Sequence, residues 1–289
     1  MAGFLYRFSI VGILLGVPIA GVVPAQEARP SEEVSTSPCR RVVVLGASVS
    51  AGFGTSLEAD GTLRLADVLD RMIAVRHERV RDESTSLFSV SPRFIGAAQV
   101  RHARRHRPSM VIAVDYLFWY AYGRKCGGEQ ARLRGIERGL RNLDRFRCPV
   151  VVSRLPDMSD AVDLGPRSVP RSGTLERIND RIQEWSEARP DVVLVPLDSY
   201  VADLRAGRAV TAGASTWSST AELLQRDRLH VTVQGLAVLG AIVLDNIAEQ
   251  RPDVVYEDLR LEPREIAVEI RGRSQPSRQR RGLFGRRRH

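Results

Sequence analysis

The stretch Gly46-Ala47-Ser48-Val49-Ser50-Ala51-Gly52-Phe53-Gly54 follows directly on an apolar run at residues 42–45. The apolar run predicts a buried strand, and the glycines predict a tight turn with Ser48 at its tip. A serine hydroxyl is a weak nucleophile unless a base accepts its proton. The turn is therefore catalytic only if the fold brings a base to Ser48; otherwise it is an inert connection or an anion-binding turn.

A histidine and a carboxylate stand together near the other end of the chain, in Asp227-Arg228-Leu229-His230. Their three-residue spacing lets one short turn present both side chains to the same place. His230 could accept the proton of Ser48, and Asp227 could orient the imidazole ring and stabilise its charged form. We therefore predict Ser48, His230 and Asp227 as the catalytic residues, and we expect Ser50 to point elsewhere.

Short apolar runs alternate with amphipathic stretches along the chain. The apolar runs predict strands at residues 41–45, 86–90, 110–115, 149–155 and 191–197, and residues 265–270 could add a last one. The intervening stretches predict helices at residues 63–76, 97–106, 129–146, 174–187 and 233–248. Such alternation is typical of an α/β protein whose parallel sheet is covered on both faces. Sites in these sheets form at the carboxyl ends of the strands, where Ser48 is expected.

Two segments resemble sequence blocks of the SGNH/GDSL hydrolases. Residues 46–54 resemble the first block, G-D-S-L-(S/T)-x-G-x-G, and residues 227–230 with Gly235 resemble the last, D-x-x-H with a glycine five residues on. The resemblance covers roughly residues 40–248. It implies a flavodoxin-like three-layer α/β/α sandwich with a mainly parallel five-stranded sheet. It also implies ester hydrolysis with Ser48 as nucleophile, His230 as base and Asp227 as its partner, without metal or organic cofactor.

The middle of the chain departs from the family pattern. The second block supplies a glycine N–H to the oxyanion hole, and Gly96 is the candidate for this role beside the N–H of Ser48, with a plain turn as the alternative. The third block is G-x-N-D, but here the strand ends in Val114-Asp115, with neither Gly nor Asn. The Asn that supplies an oxyanion donor in the family is therefore missing at this position.

The segment after that strand is rich in aromatic residues. Asp115, Tyr116 and Trp119 are candidates for the wall of a substrate cleft. Two alternatives stay open: Asp115 could accept N–H groups of the serine turn, and the aromatic residues could pack a helix against the sheet.

The chain divides into four segments by composition. Residues 1–25 are predicted to be a cleaved signal peptide, with an uncleaved membrane anchor as the alternative, and residues 26–39 a linker. The hydrolase domain is expected at residues 40–272 and a disordered Arg-rich tail at residues 273–289. These predictions place the protein in the periplasm or outside the cell. Cys39, Cys126 and Cys148 would then form one disulfide and leave one thiol, or all stay free.

The formal charge of +9 is concentrated at the carboxyl end, because residues 271–289 contain eight arginines and no acidic residue. The body of the chain is close to neutral, so we expect no specific nucleic-acid partner and at most weak contact of the tail with an anionic surface. The expected substrate is a small-molecule or polysaccharide ester, with an O-acetyl or short acyl group. The alternatives are an inactive binding module, a periplasmic acyltransferase and a polyanion-binding protein.

Overall fold

The computed structural model describes residues 37–57, 61–123 and 127–273. The strands are β1 Val42–Val44, β2 Ser56–Leu57, β3 Gly61–Thr62, β4 Arg81–Asp82, β5 Met110–Ile112, β6 Val150–Ser153, β7 Val192–Val195, β8 Val210–Ala212 and β9 Ser215–Trp217. The helices are α1 Leu65–Met72, α2 Pro92–Arg105, α3 Phe118–Ala121, α4 Glu129–Leu143, α5 Ser172–Glu187, α6 Leu197–Arg205, α7 Thr220–Leu223, α8 Val233–Gln250 and α9 Pro263–Arg273. Short 3₁₀ helices span Pro38–Arg41, Ser86–Val90 and Tyr256–Asp258. The segments predicted as signal peptide and Arg-rich tail lie almost entirely outside the described residues.

A parallel sheet forms the centre of the fold. Its strand order is β4-β1-β5-β6-β7, and every neighbouring pair is parallel. Numbered along the chain, these five strands lie in the order 2-1-3-4-5, which is the flavodoxin-like arrangement. The predicted fold class is therefore confirmed. In the same described part of the chain, β2–β3 and β8–β9 form two small antiparallel hairpins.

Alternating side chains of the buried strands build two separate cores. Val42 and Val44 of β1 belong to the core that also contains residues of α1, α8 and α9. Val43 and Leu45 belong to the core that contains residues of α2, α4 and α5. Because successive residues of a strand point to opposite faces, one short apolar strand supplies both cores, and three layers result.

Two predicted strands are wrong. Residues 86–90 form a 3₁₀ helix capped by Thr85, whose hydroxyl accepts a hydrogen bond from Leu87 N–H at 3.2 Å. The sheet is completed instead by the polar edge strand β4, which has no apolar signal. Residues 265–270 lie in α9, where Ile266 and Ile270 are buried but Val268 is 66% exposed. The burial follows the helical period, and the alternation that predicted a strand is coincidental.

Two of the three cysteines lie in the described residues, and both are free thiols. Burial raises the pKa of Cys39 and that of Cys148 to about 11, so both stay protonated at neutral pH. Cys126 lies outside the described residues. No helix in the described ranges is long and apolar enough to cross a membrane.

Candidate active site

A single carboxylate holds the turn that carries Ser48. The N–H groups of Ala47, Val49 and Ser50 donate to Asp115 at 3.0, 3.0 and 3.1 Å, and the Ser50 hydroxyl donates to it at 2.6 Å. Burial is the largest influence on the pKa of Asp115 and raises it, while these four hydrogen bonds oppose the rise. Asp115 therefore acts as an acceptor for the turn, one of the two roles considered for it. Ser50 is engaged by Asp115 and does not compete with Ser48.

Gly46 lets the turn approach its neighbours closely. A Cβ atom at Gly46 would lie 2.1 Å from Asp115 Oδ1, so the carboxylate could not reach the turn past a larger residue. Gln99 of α2 holds the same residue from the other side: its Oε1 accepts from Gly46 N–H at 3.1 Å and its Nε2 donates to Gly46 C=O at 2.8 Å. Gln99 was missed at the sequence level, although a polar residue on the buried face of a helix is a usable signal.

Ser48, His230 and Asp227 form one chain of hydrogen bonds. Ser48 Oγ lies 2.9 Å from His230 Nε2, and His230 Nδ1 lies 2.6 Å from Asp227 Oδ2. An ionised carboxylate can only accept, so Nδ1 carries the proton and Nε2 accepts from the serine hydroxyl. Ser48 and His230 are each only 8% exposed, so these bonds lie largely out of water. The sequence predicted these three residues, and the fold brings them together.

The backbone around Asp227 keeps its carboxylate ionised. Asp227 Oδ1 accepts from the N–H groups of Leu229 and His230, each at 3.0 Å. Burial raises the pKa of Asp227, but the hydrogen bonds from the His230 side chain and from these two N–H groups outweigh it, and the pKa lies below its usual value. Arg228, which follows Asp227 directly, has φ +59°. This is a left-handed backbone conformation that residues other than glycine rarely adopt. Strain of this kind persists only where the surrounding structure enforces it.

Gln225 joins the histidine loop to the serine turn. Its backbone N–H donates to His230 C=O at 2.7 Å, while its side chain donates to Val231 C=O at 2.7 Å and to Phe53 C=O at 2.8 Å. The Phe53 ring lies 4.4 Å from the His230 ring, centroid to centroid. Neither residue was singled out from the sequence, because nothing in its local pattern indicates a contact so distant along the chain.

The backbone N–H of Ser48 is available to a ligand. From Gly46 to Phe53, every other N–H donates to an acceptor within the turn, to Gln99 or to Asp115. Ser48 N–H has no acceptor in the described part of the chain. A free N–H directly at a serine hydroxyl is suited to bind an oxyanion.

Gly96 does not fill the second oxyanion position. It lies inside α2, where its N–H is used in the helical ladder. A Cβ atom at Gly96 would meet the hydroxyls of Tyr120 and Tyr116 at 2.2 and 2.8 Å. The glycine therefore allows the helix to pack against two tyrosines, and the predicted oxyanion role is corrected.

Tyr116 does not line a cleft. It is completely buried, packs edge-on against Phe88 with ring centroids 5.3 Å apart, and its hydroxyl accepts from Asn142 Nδ2 at 3.3 Å. Its predicted place in the substrate cleft is corrected to the core. Trp119 and Asp115 do border the cavity described next.

An apolar cavity of about 110 Å³ begins at Ser48. It is lined by Ser48, Phe118 and Trp119 and by residues of the sheet and of the two helices α6 and α8. Among the described residues, no group of three or more His, Cys, Asp or Glu side chains is arranged to hold a metal ion.

Comparisons with known proteins give matches only among solved structures. No protein-family model matches the chain, and no curated protein is significantly similar to it in sequence. A gut microbial diltiazem-metabolizing enzyme superimposes on 73% of this chain and 47% of its own length, with 11% identity and a TM-score of 0.47. TesA superimposes on 74% of this chain and 100% of its own, with 16% identity and a TM-score of 0.45.

A GDSL-like lipase from Bacteroides thetaiotaomicron superimposes on 73% of this chain and 88% of its own, with 12% identity and a TM-score of 0.46. At such identities and TM-scores, these matches say nothing about substrate.

Proposed function

We propose that this protein is a serine hydrolase that cleaves carboxylic esters through an acyl-enzyme on Ser48. One observation carries the proposal: the continuous hydrogen-bonded chain from Ser48 Oγ through His230 to Asp227. The three groups come from distant parts of the sequence, and their order is that of a nucleophile, a base and an orienting carboxylate. The resemblance of both segments to the SGNH/GDSL blocks supports the same activity.

The proposed mechanism has two halves. Ser48 Oγ attacks the ester carbonyl carbon while His230 Nε2 takes its proton, and Asp227 stabilises the imidazolium. The oxyanion that forms on the former carbonyl oxygen accepts a hydrogen bond from Ser48 N–H. The tetrahedral intermediate collapses, His230 returns the proton to the departing alcohol, and the acyl group stays on Ser48. Water then attacks the acyl carbon while His230 Nε2 takes its proton. The ester bond to Ser48 Oγ breaks, His230 returns the proton to Ser48 Oγ, and the acid is released.

The oxyanion hole is the weak part of this machinery. Ser48 N–H is one donor, but Val114 stands where the family pattern has the Asn that supplies another. Loss of one oxyanion donor costs about 10²–10³ in kcat. We therefore expect a turnover lower than that of an enzyme with a complete hole.

A fluorophosphonate probe tests the proposal, because it phosphonylates only an activated serine. The protein without residues 1–25 is treated with the probe and the adduct is mapped by mass spectrometry. We expect the adduct on Ser48, and we expect Ser48→Ala and His230→Ala to abolish it. Ser159→Ala is the matched control, since Ser159 is exposed and its backbone N–H donates to Asp157; its labelling should equal that of the parent.

Failure of the folded parent protein to react, under conditions that label a known serine esterase, would reject the proposal. The second candidate, a binding module that keeps the fold without catalysis, would then be favoured, because Val114 leaves the oxyanion hole incomplete. A periplasmic acyltransferase would also be labelled. It is distinguished by its product, which carries the acyl group on an added alcohol and not as a free acid.

We further propose that the protein acts outside the cytoplasm, on the strength of residues 1–25. Arg7 precedes the apolar run of residues 10–23, and Ala25 offers a small residue for cleavage. Expression of the full chain in a Gram-negative host, followed by amino-terminal sequencing of the periplasmic fraction, should find a mature protein that begins at Gln26.

A further inference from the structure

The cavity at Ser48 has a composition unlike that of a sugar site. Its lining is almost entirely aliphatic and aromatic, and the side chains of Asp115, Ser153 and Tyr200 along it are already engaged. Asp115 accepts four hydrogen bonds from the serine turn, Ser153 Oγ donates to Val114 C=O at 2.6 Å, and the Tyr200 hydroxyl accepts from Asn246 at 3.3 Å. A hydroxylated group in this space would lose its hydrogen bonds to water and gain few in return.

The helix α6 forms one wall of the cavity at Ser48. Leu197, Tyr200, Val201 and Leu204 lie at i, i+3, i+4 and i+7 and all border the cavity. An amphipathic helix normally buries such a stripe, yet α6 has no fully buried residue. Its apolar face is therefore only partly covered by the two cores and also borders the unfilled volume.

Polar contacts hold α6 at both ends, in addition to the partial packing of its apolar side chains against the two cores. Arg154 Nε donates to Asp198 Oδ2 at 2.8 Å at the first turn. Arg205 at the last turn donates to Asp157 C=O and to the Asp160 carboxylate. These tethers fix the distance of α6 from the sheet and keep the cavity from collapsing.

The opposite wall is α8, which presents Gly235, Val238, Leu239 and Ile242 with the same spacing. From Gly235 to Ile242 the helix rises about 10 Å. The lining residues of α8 therefore span a length that suits a chain more than a compact group.

The position of His230 determines which part of an ester, the acyl group or the alcohol, enters the cavity. Ser48 borders the cavity, whereas His230 and Asp227 are not among its lining residues. The departing alcohol must lie within reach of His230 Nε2 to receive its proton. The acyl substituent is thereby directed to the other side of the reacting carbon, into the cavity.

From these observations we infer that the substrate of this enzyme carries an unbranched aliphatic acyl group of about four to six carbons, bound in the cavity between α6 and α8. The size follows from the volume, because an apolar cavity of roughly 150 Å³ holds benzene and this one measures about 110 Å³. The inference rests on the proposed ester hydrolysis. The sequence led to the expectation of an O-acetyl or a short acyl group. The cavity favours the short acyl group, since an acetyl group would leave it almost empty.

A series of p-nitrophenyl esters from acetate to dodecanoate tests the inference. We expect kcat/KM to rise about fourfold per added methylene, which corresponds to about 0.8 kcal/mol for each buried CH₂. The rise should end near hexanoate, and dodecanoate should react more slowly. Equal rates for all chain lengths, or a maximum at acetate, would overturn the inference.

Two cavity variants test where the chain binds. Val201→Phe places a ring in the empty space and should lower the hexanoate-to-acetate ratio of kcat/KM about tenfold or more. Leu204→Ala enlarges the space and should move the optimum to octanoate, a change that loss of folding cannot produce. Val268→Phe, on the exposed face of α9, is the matched control and should leave the ratio and the optimum unchanged. An unchanged ratio in Val201→Phe together with an unchanged optimum in Leu204→Ala would place the acyl group elsewhere.

Fluorophosphonate labelling of the same samples separates the two claims. A protein that is not labelled at Ser48 contradicts the proposed function. A protein that is labelled and cleaves acetate, but shows no dependence on chain length, contradicts only the inference about the cavity.

Discussion

Asp227 combines a structural and a chemical task in one carboxylate, because Oδ1 accepts two backbone N–H groups while Oδ2 accepts the proton of His230 Nδ1. In Asp227→Asn the amide oxygen can still accept the backbone donors, but the NH₂ group then faces His230. Nδ1 of His230 must then accept from this NH₂ group, so the proton of the imidazole moves to Nε2. Nε2 can no longer accept the proton of Ser48, and His230 no longer acts as a base. We expect the rate of ester hydrolysis and of probe labelling to fall about 10⁴-fold.

The same variant should change the pH dependence of stability. The pKa of Asp227 is lowered in the folded state, so ionisation stabilises the fold at neutral pH, and this contribution is lost as the pH falls below the usual Asp value through the folded pKa. Denaturant titrations should show the parent more stable than Asp227→Asn at pH 7, with a difference that shrinks toward pH 3. A difference that is constant over this range would contradict the role of the ionised carboxylate.

Single residues were predictable where their chemistry depends on local sequence. Ser48 is marked by its glycine-rich turn, and Asp227 and His230 by their spacing. Gly96 and Tyr116 were misplaced because the contacts that define them cross between elements: the glycine packs on tyrosine hydroxyls, and Tyr116 packs on Phe88. Sequence spacing carries no information on such contacts.

At the level of elements, the start of α8 is fixed by its contact with α7. A Cβ atom at Gly235 would lie 2.0 Å from Leu223 C=O, so Gly235→Ala forces the two helices apart. Because α8 begins three residues after His230, the histidine must move with it. We expect the free energy of unfolding to fall by about 1–3 kcal/mol, and we expect labelling of Ser48 to slow.

Gly272→Ala is the matched control for this substitution. Gly272 lies in α9, and a Cβ atom there would meet nothing within 4 Å. Alanine in a helix is favoured over glycine by roughly 0.5–1 kcal/mol, so stability should be unchanged or slightly higher and labelling should be unaffected. If urea denaturation gave the same stability for both variants, the close contact of α7 and α8 would not control the position of His230.

Elements were predictable to the extent that burial leaves a pattern in the sequence. The strands β1, β5 and β6 are buried on both faces, and β7 is buried on one face and half-buried on the other; all four stand out as apolar runs. The edge strand β4 is two residues long and polar, so it leaves no such run. The helix α6 was missed for a related reason: residues 191–197 were interpreted as one long strand, whereas β7 ends at Val195 and α6 starts at Leu197.

At the level of the whole molecule, the site arises where three distant segments meet at the carboxyl ends of the strands. The Ser48 turn follows β1, Asp115 follows β5, and the loop with His230 precedes α8. The parallel sheet aligns the first two, and the packing of α8 on the sheet brings in the third. The cavity has no counterpart in the local sequence, because it is a property of the distance between α6 and α8.

The uneven distribution of charge over the whole chain leads to a last prediction. Six arginines lie among residues 274–289, while the body of the chain is almost neutral. Each arginine near an anionic surface contributes about 1 kcal/mol, and salt weakens the attraction. We expect the protein without residues 1–25 to bind vesicles that contain phosphatidylglycerol at low salt, to bind less at about 0.15 M salt, and not to bind pure phosphatidylcholine vesicles. Deletion of residues 274–289 should abolish this binding. It should leave the rate of hydrolysis unchanged and the thermal midpoint within about 2 °C of the parent, since the buried residues of α9 precede the deletion. Replacement of the six arginines by glutamine keeps the length of the segment and should have the same effect as its deletion. Vesicle binding that survives both changes would place the anionic contact on the folded domain and not on the tail.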